Sequence, residues 1–173
     1  MRPRQSKAVT RKILTDAGVL DHVALLGVRG YYLNSMGLEG KNDRGIYDDA
    51  IFLLSPAVYL TFNANTDPSA YRTGIATLQP GIWRYKIGFH HWADTQRRYK
   101  ALIQAEAVDV RRDERKPETG WFGINIHKGG MTGTSSLGCQ TIWPEQWPEF
   151  INSVETEMKT AGQRVIPYLL IEN

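Results

Sequence analysis

The sequence predicts an α+β fold, a single domain with a mostly antiparallel sheet arranged as a sandwich or barrel and two helices. Its 173 residues, 42% hydrophobic and 23% charged, are typical of one globular domain. Helical spacing of apolar residues occurs mainly in two places, 8–26 and 144–161, with short strand-like runs between them. Because we find no repeat or linker, residues 1–173 form one unit: 1–49 a helix and irregular segment, 50–173 the core.

The elements are predicted in order along the chain. Ala8–Leu26 has helical spacing with a break at Gly18, and residues 29–49 are glycine-rich and irregular, as functional loops often are. A hairpin is predicted around Ser55-Pro56. The segment Thr77–Gly88 contains a Pro-Gly turn that leads into an alternating strand from Ile82. The other predictions are strands at Ala50–Leu54, Val58–Asn63, Ala107–Arg111, Trp121–Ile126 and Val165–Ile171, a charged loop at Arg112–Thr119, and a helix at Pro144–Ala161 with Gly162 just beyond it.

A lone cysteine and a nearby histidine are the strongest chemical signal. A strand-like run ends at His127, and a turn with four glycines then leads to Cys139, the single cysteine. Acyl transfer by a thiolate needs a base within reach and backbone N–H groups that hold the oxyanion. An isolated cysteine is usually a small buried hydrophobe, but a structural cysteine does not need a glycine-rich approach. The combination therefore favours a catalytic pair.

Composition and charge narrow the function classes. A net charge of +3 is too weak to indicate a nucleic-acid partner. The sequence has no CxxC or HExxH pattern, so neither a metal nor a cofactor is expected. The basic start, Met1–Lys7, is not followed by an apolar signal region, and no stretch is long enough for stable membrane insertion. We therefore expect synthesis in the cytoplasm without a signal peptide.

Four segments together resemble the catalytic domain of L,D-transpeptidases of the YkuD type. They are Ile51–Asn63, Gln79–Trp83, Gly123–His127 and Ser136–Cys139, spanning about residues 50–143. The sequence also resembles small, signal-less, endolysin-like phage proteins that act on cell walls. The resemblance implies cysteine-dependent acyl transfer on peptidoglycan stem peptides, as a transpeptidase, carboxypeptidase or endopeptidase at the bacterial cell wall or in the periplasm.

The resemblance also implies roles for individual residues. Cys139 would be the nucleophile and His127 the base, and the N–H groups of Gly138 and Cys139 would form the oxyanion hole. Ser136 would shape the turn, and the Lys128 carbonyl would orient the imidazole. The sequence departs from the family at Leu137, where the family has histidine, and at Thr141, where it has arginine or asparagine. Residues expected to contact substrate are Lys128, Gly129, Gln140, Thr141, Trp121 and Trp143.

Two alternatives remain open. The carboxyl groups of Glu39 and Asp48 have the spacing of a phage lysozyme-like muramidase, in which two carboxylates frame a glycosidic bond. A non-catalytic module that binds the cell wall or a host protein would instead leave Cys139 buried and inert. His90 and His91 are expected on opposite faces of a strand, so they cannot both face one metal, although either could line the cleft.

Overall fold

A closed eight-stranded barrel forms the centre of the fold within the described residues, with strand order β1-β11-β5-β6-β9-β10-β3-β2. This computed structural model describes residues 1–91, 93–113 and 115–173. A separate three-stranded sheet has the order β4-β7-β8. The elements are α1 (Lys7–Asp16), β1 (Ala24–Arg29), β2 (Asp49–Leu54), β3 (Tyr59–Asn65), β4 (Ala76–Leu78), β5 (Gly81–His90), β6 (Tyr99–Gln104), β7 (Val108–Arg112), β8 (Arg115–Gly120), β9 (Ile126–Lys128), β10 (Gln140–Ile142), α2 (Trp147–Thr160) and β11 (Ile166–Glu172).

The predicted α+β class is confirmed, with one domain and a mostly antiparallel, barrel-like sheet. The β2–β3 hairpin, α2 and β11 also lie where the sequence predicts them. The first helix is shorter than predicted. Ser6 accepts a hydrogen bond from the Val9 N–H at its start, and the helix ends before Gly18, whose φ is 84°. Beyond Gly18 the chain forms β1, part of which was predicted to be helical.

The first strand escaped prediction because both of its faces are buried. Every residue from Ala24 to Arg29 is buried, so polar and apolar residues do not alternate along it. Leu25 belongs to the main core, which fills the barrel and extends to α2. Leu26 belongs to a second cluster, in which α1 covers the outer face of β1 and β2 through Leu14.

Two further predictions are wrong, and one strand was not predicted. The expected charged loop at 112–119 contains β8, an exposed strand that pairs with β7 through its backbone, so its side chains show no burial pattern; Glu114 lies outside the described residues. The predicted strand at 121–126 is irregular as far as Asn125, and β9 begins only at Ile126. The strand β6 was not predicted. Neither helix in the described part of the chain has the length and apolarity needed to cross a membrane.

Candidate active site

Two neighbouring parallel strands bring His127 and Cys139 to one cavity. In β9 and β10, Ile126 pairs with Gln140 and His127 with Thr141, and the Gln140 N–H donates to the Asn125 carbonyl at 2.8 Å. Cys139 immediately precedes β10. The cavity has a volume of about 400 Å³ and is lined by His90, His91, Tyr99, Phe122, Gly123, Ile124, His127, Lys128, Gly129, Ser135, Leu137 and Cys139.

The turn before the cysteine is held by Ser136. Its Oγ accepts a hydrogen bond from the Gly138 N–H at 3.0 Å and donates to the Cys139 carbonyl at 2.6 Å. Gly138 has φ 130°, and a Cβ there would overlap the Ala76 carbonyl oxygen. Ser136 thus bridges the turn at two points. The Gly138 N–H, one of the two predicted oxyanion donors, is occupied by this hydrogen bond, whereas the Cys139 N–H has no partner among the described residues.

The sulfur of Cys139 is held as a thiol. Its S–H donates to the Gly123 carbonyl at 3.4 Å, and its Sγ accepts from the Asn125 N–H at 3.4 Å. Burial of the group raises the pKa of the Cys139 thiol to about 11, and the Asn125 N–H only partly offsets this effect. The thiol is therefore protonated at neutral pH.

The imidazole of His127 is buried and fixed at one nitrogen. Nδ1 lies 2.8 Å from the carbonyl oxygen of Lys128, the group that was predicted to orient the ring. The Tyr99 hydroxyl lies 3.2 Å from the same nitrogen. Because the Lys128 carbonyl can only accept, the proton lies on Nδ1, and Nε2 is an acceptor without a partner among the described residues.

The thiol and the imidazole are both neutral. Burial, with a smaller contribution from the nearby His90 ring, lowers the pKa of His127 to about 4. A preformed thiolate–imidazolium pair, which the sequence suggested, is therefore not the ground state at neutral pH. Proton transfer from sulfur to His127 would have to accompany attack on a substrate rather than precede it.

His90 and His91 both line the cavity, contrary to the expectation that they face opposite sides. The strand β5 ends at His90, and His91 has φ 53°, which turns the chain and brings the two rings to 4.2 Å between centroids. His90 also stacks on His127 at 4.1 Å and 16°. Within the described ranges, no group of three or more His, Cys, Asp or Glu residues is arranged to hold a metal ion.

Only some of the residues predicted to contact substrate lie in the thiol cavity. Lys128 and Gly129 line the cavity with the thiol. Gln140 is fully buried in the barrel, where its Oε1 accepts from Tyr168 at 3.2 Å, and Thr141 is also fully buried, so neither can meet a substrate in this arrangement.

The two predicted tryptophan contacts do not line the thiol cavity. Trp121 is 67% exposed, and its neighbour Phe122 lines the cavity instead. Trp143 lines a different cavity. Both predictions rested on closeness in sequence to Cys139 and His127. The backbone near each tryptophan turns so that its side chain lies outside the thiol cavity.

Two site residues were missed by the sequence analysis. Asn125 donates its N–H to the cysteine sulfur, and its position two residues before His127 was the signal available for it. Tyr99 comes from β6, and its hydroxyl contacts both Nδ1 of His127 and the Lys128 carbonyl, at 3.2 Å and 3.4 Å. No local pattern indicates this contact.

The carboxyl pair of the muramidase alternative does not frame a cleft. Glu39 is exposed, whereas Asp48 is buried and accepts a hydrogen bond from the Asp43 N–H at 2.8 Å. Neither residue lines the thiol cavity or the larger cavity that contains Trp143.

The fold and the site together define an α+β barrel protein with a neutral cysteine–histidine pair in an accessible cavity. Comparisons with protein-family models, with curated proteins and with solved structures find no match to this chain, so none identifies the transpeptidase domain that the sequence resembles.

Proposed function

We propose that this chain is a cysteine-dependent acyltransferase or peptidase acting on peptidoglycan stem peptides at the bacterial cell wall or in the periplasm. The observation that carries the proposal is the shared cavity of Cys139 and His127, with Nε2 of the histidine unpartnered and Nδ1 held by the Lys128 carbonyl. The choice of peptidoglycan rests on the resemblance of the sequence motifs.

In the proposed first step, the S–H bond of Cys139 turns from the Gly123 carbonyl toward Nε2 of His127. The sulfur attacks the peptide carbonyl carbon as its proton passes to Nε2, so no free thiolate is needed. The Cys139 N–H, which has no partner among the described residues, donates to the resulting oxyanion.

The intermediate then collapses and the C–N bond breaks. The leaving amine takes the proton from His127, and a thioester on Cys139 remains. An acceptor amine or a water molecule next attacks the thioester carbon and gives its proton to His127, and the sulfur leaves and recovers that proton. Transpeptidation and hydrolysis differ only in this second nucleophile.

A specific observation favours the non-catalytic alternative, a module that binds the cell wall or a host protein. The pKa of the Cys139 thiol is raised to about 11, whereas reactive cysteines have lowered pKa values. The two functions differ in turnover: a binding module forms no new peptide products.

The test is incubation of the full chain with purified muropeptides, followed by mass analysis. We expect shortened or exchanged peptides on intact disaccharides. Cys139→Ala should abolish these products, and His127→Gln should reduce their rate by about 10²- to 10⁴-fold. The exposed His22 lies outside the cavity, so His22→Gln is the matched control and should be unchanged.

Three other results would contradict the proposal. Activity retained by Cys139→Ala would exclude the thiol mechanism. New reducing sugar ends that disappear in Glu39→Gln would transfer the function to a muramidase. Binding to sacculi without any product would support the non-catalytic module.

A further inference from the structure

A second, larger cavity lies across the turn from the thiol. Its volume is about 950 Å³, against about 400 Å³ for the thiol cavity, a size that suits an oligomeric ligand. The turn between β9 and β10 separates the two: Lys128 and Gly129 line the thiol cavity, whereas Met131 and Gly133 line the larger one. A ligand in the larger cavity would therefore touch the opposite side of the same turn.

Two aromatic rings in this cavity are held in fixed positions. The rings of Tyr47 and Trp143 meet edge to face, with centroids 5.0 Å apart and planes at 90°. The Tyr47 hydroxyl donates to the Gly130 carbonyl at 2.7 Å, and the Trp143 indole N–H donates to Glu145 at 3.4 Å. A rigid tryptophan offers a flat apolar surface to the C–H face of a sugar ring at little entropic cost.

Next to the rings, the cavity is lined by the amide side chains of Asn63 and Gln146, which hold one acceptor and one donor without a partner among the described residues. The Asn63 N–H donates to Oε1 of Gln146 at 2.8 Å, which assigns the orientation of the Gln146 amide and leaves its Nε2 as a donor. Oδ1 of Asn63 is buried and has no partner among the described residues. An acceptor beside a donor is the complement of a secondary amide, which has one N–H and one carbonyl.

We propose that this cavity binds an N-acetylated amino sugar. The acetamido group lies between Asn63 and Gln146, the sugar ring stacks on Trp143, and the acetyl methyl packs against the apolar lining that includes Met36 and Ile46. The inference rests on the proposed function in one respect: the sugar would belong to the polymer whose stem peptide enters the thiol cavity. The binding itself needs no thiol chemistry.

Titration calorimetry on the full chain tests the proposal with two matched tetrasaccharides. Chitotetraose carries an acetamido group on every ring, and cellotetraose has hydroxyls in their place. We expect chitotetraose to bind and cellotetraose to bind about tenfold more weakly, the cost of roughly one hydrogen-bonded group. Asn63→Ala should weaken chitotetraose binding about tenfold as well.

Further variants locate the binding. Trp143→Phe, which keeps an aromatic ring and is less disruptive than Trp143→Ala, should weaken chitotetraose binding severalfold. Tyr71 is 70% exposed and outside the cavity, so Tyr71→Ala is the matched aromatic control and should bind as the wild type does. Cys139→Ala should also bind normally, because the thiol does not line this cavity.

Absence of chitotetraose binding, or equal affinity for the two tetrasaccharides, would overturn the proposal. Tighter binding of an N-acetylated dipeptide amide, lost in Asn63→Ala, would make the cavity a peptide site and would also overturn it. The two proposals fail separately. Chitotetraose binding without muropeptide turnover would support the sugar site and contradict the proposed enzymatic function. Turnover without chitotetraose binding would support the enzymatic function and contradict the sugar site.

Discussion

Two buried polar regions of this molecule differ in how completely their atoms are partnered. Around Arg29 and Asp49, which lie next to the irregular segment before β2, both oxygens of Asp49 accept hydrogen bonds, from the Gly30 N–H at 2.6 Å and from Thr66 at 2.6 and 2.8 Å. At the thiol site, Nε2 of His127 and the N–H of Cys139 have no partner in the described parts of the chain.

Arg29 completes the first region. Its guanidinium donates to the Thr66 carbonyl at 2.8 Å and the Leu78 carbonyl at 3.0 Å, and it pairs with Asp67 at 3.2 Å. The hydrogen bonds and the ion pair of Arg29 and Asp49 stabilise the fold, whereas unpartnered atoms that face a cavity remain available for a ligand. The comparison therefore separates a structural region from a chemical one.

The largest expected effect comes from breaking the partnered region. Arg29→Met leaves the Asp67 carboxylate buried without its counter-charge and removes the donor from two carbonyls. We expect the free energy of unfolding to fall by about 3–5 kcal/mol, measured by urea denaturation. The exposed pair of Lys12 and Asp16 supplies the control, since Lys12→Met should have almost no effect. Equal effects of the two variants would contradict the distinction.

Asp48 sharpens the comparison, because it is a buried carboxylate with one oxygen unpartnered. Burial raises its pKa from 3.8 to about 6. The folded state therefore binds the proton more tightly than the unfolded state, and folding becomes less favourable as pH rises from about 4 to 6. Asn does not titrate and can still accept from the Asp43 N–H.

We therefore expect Asp48→Asn to be more stable than the wild type by about 3 kcal/mol at pH 8, and the difference to vanish near pH 4. Thermal or urea unfolding at the two pH values measures it. The exposed Asp16 provides the control, since Asp16→Asn should show no such dependence. A destabilised Asp48→Asn variant at pH 8 would show that the carboxylate is partnered after all.

The smallest expected effect concerns thiol reactivity at the unpartnered site. With the pKa of Cys139 near 11, the rate of iodoacetamide alkylation should rise roughly tenfold per pH unit from pH 7 to 10. The thiol of a short unstructured cysteine peptide in the same buffers should level off above its pKa of about 8.5. His127→Gln should leave the profile nearly unchanged, because a neutral imidazole does not stabilise a thiolate. A wild-type alkylation rate that is already constant below pH 7, and that loses this plateau in His127→Gln, would show that the two residues form a thiolate–imidazolium pair.

The parts of the fold that the sequence predicted are those set by local pattern. The β2–β3 hairpin has adjacent strands and a proline turn, and α2 has a clear apolar stripe. The strand β1 was missed because its burial on both faces erases the alternation, and β8 because an exposed edge strand needs only backbone pairing.

The site divides in the same way. Cys139 and His127 were predicted together because one strand and one turn join them, and the Lys128 carbonyl followed from its position beside the histidine. The neutral state of the pair was not predictable. It depends on burial beneath Tyr99 and His90, which come from strands distant in sequence.

The position of β11 has a consequence for how the chain matures. This strand lies between β1 and β5 and pairs with both, so the barrel closes only when β1 meets a strand that is distant from it in the sequence. Until that pairing forms, β1 exposes an edge that another chain could pair with, which makes the partly folded protein prone to aggregation. Because the pairing is so non-local, closure of the barrel should be a slow step of folding.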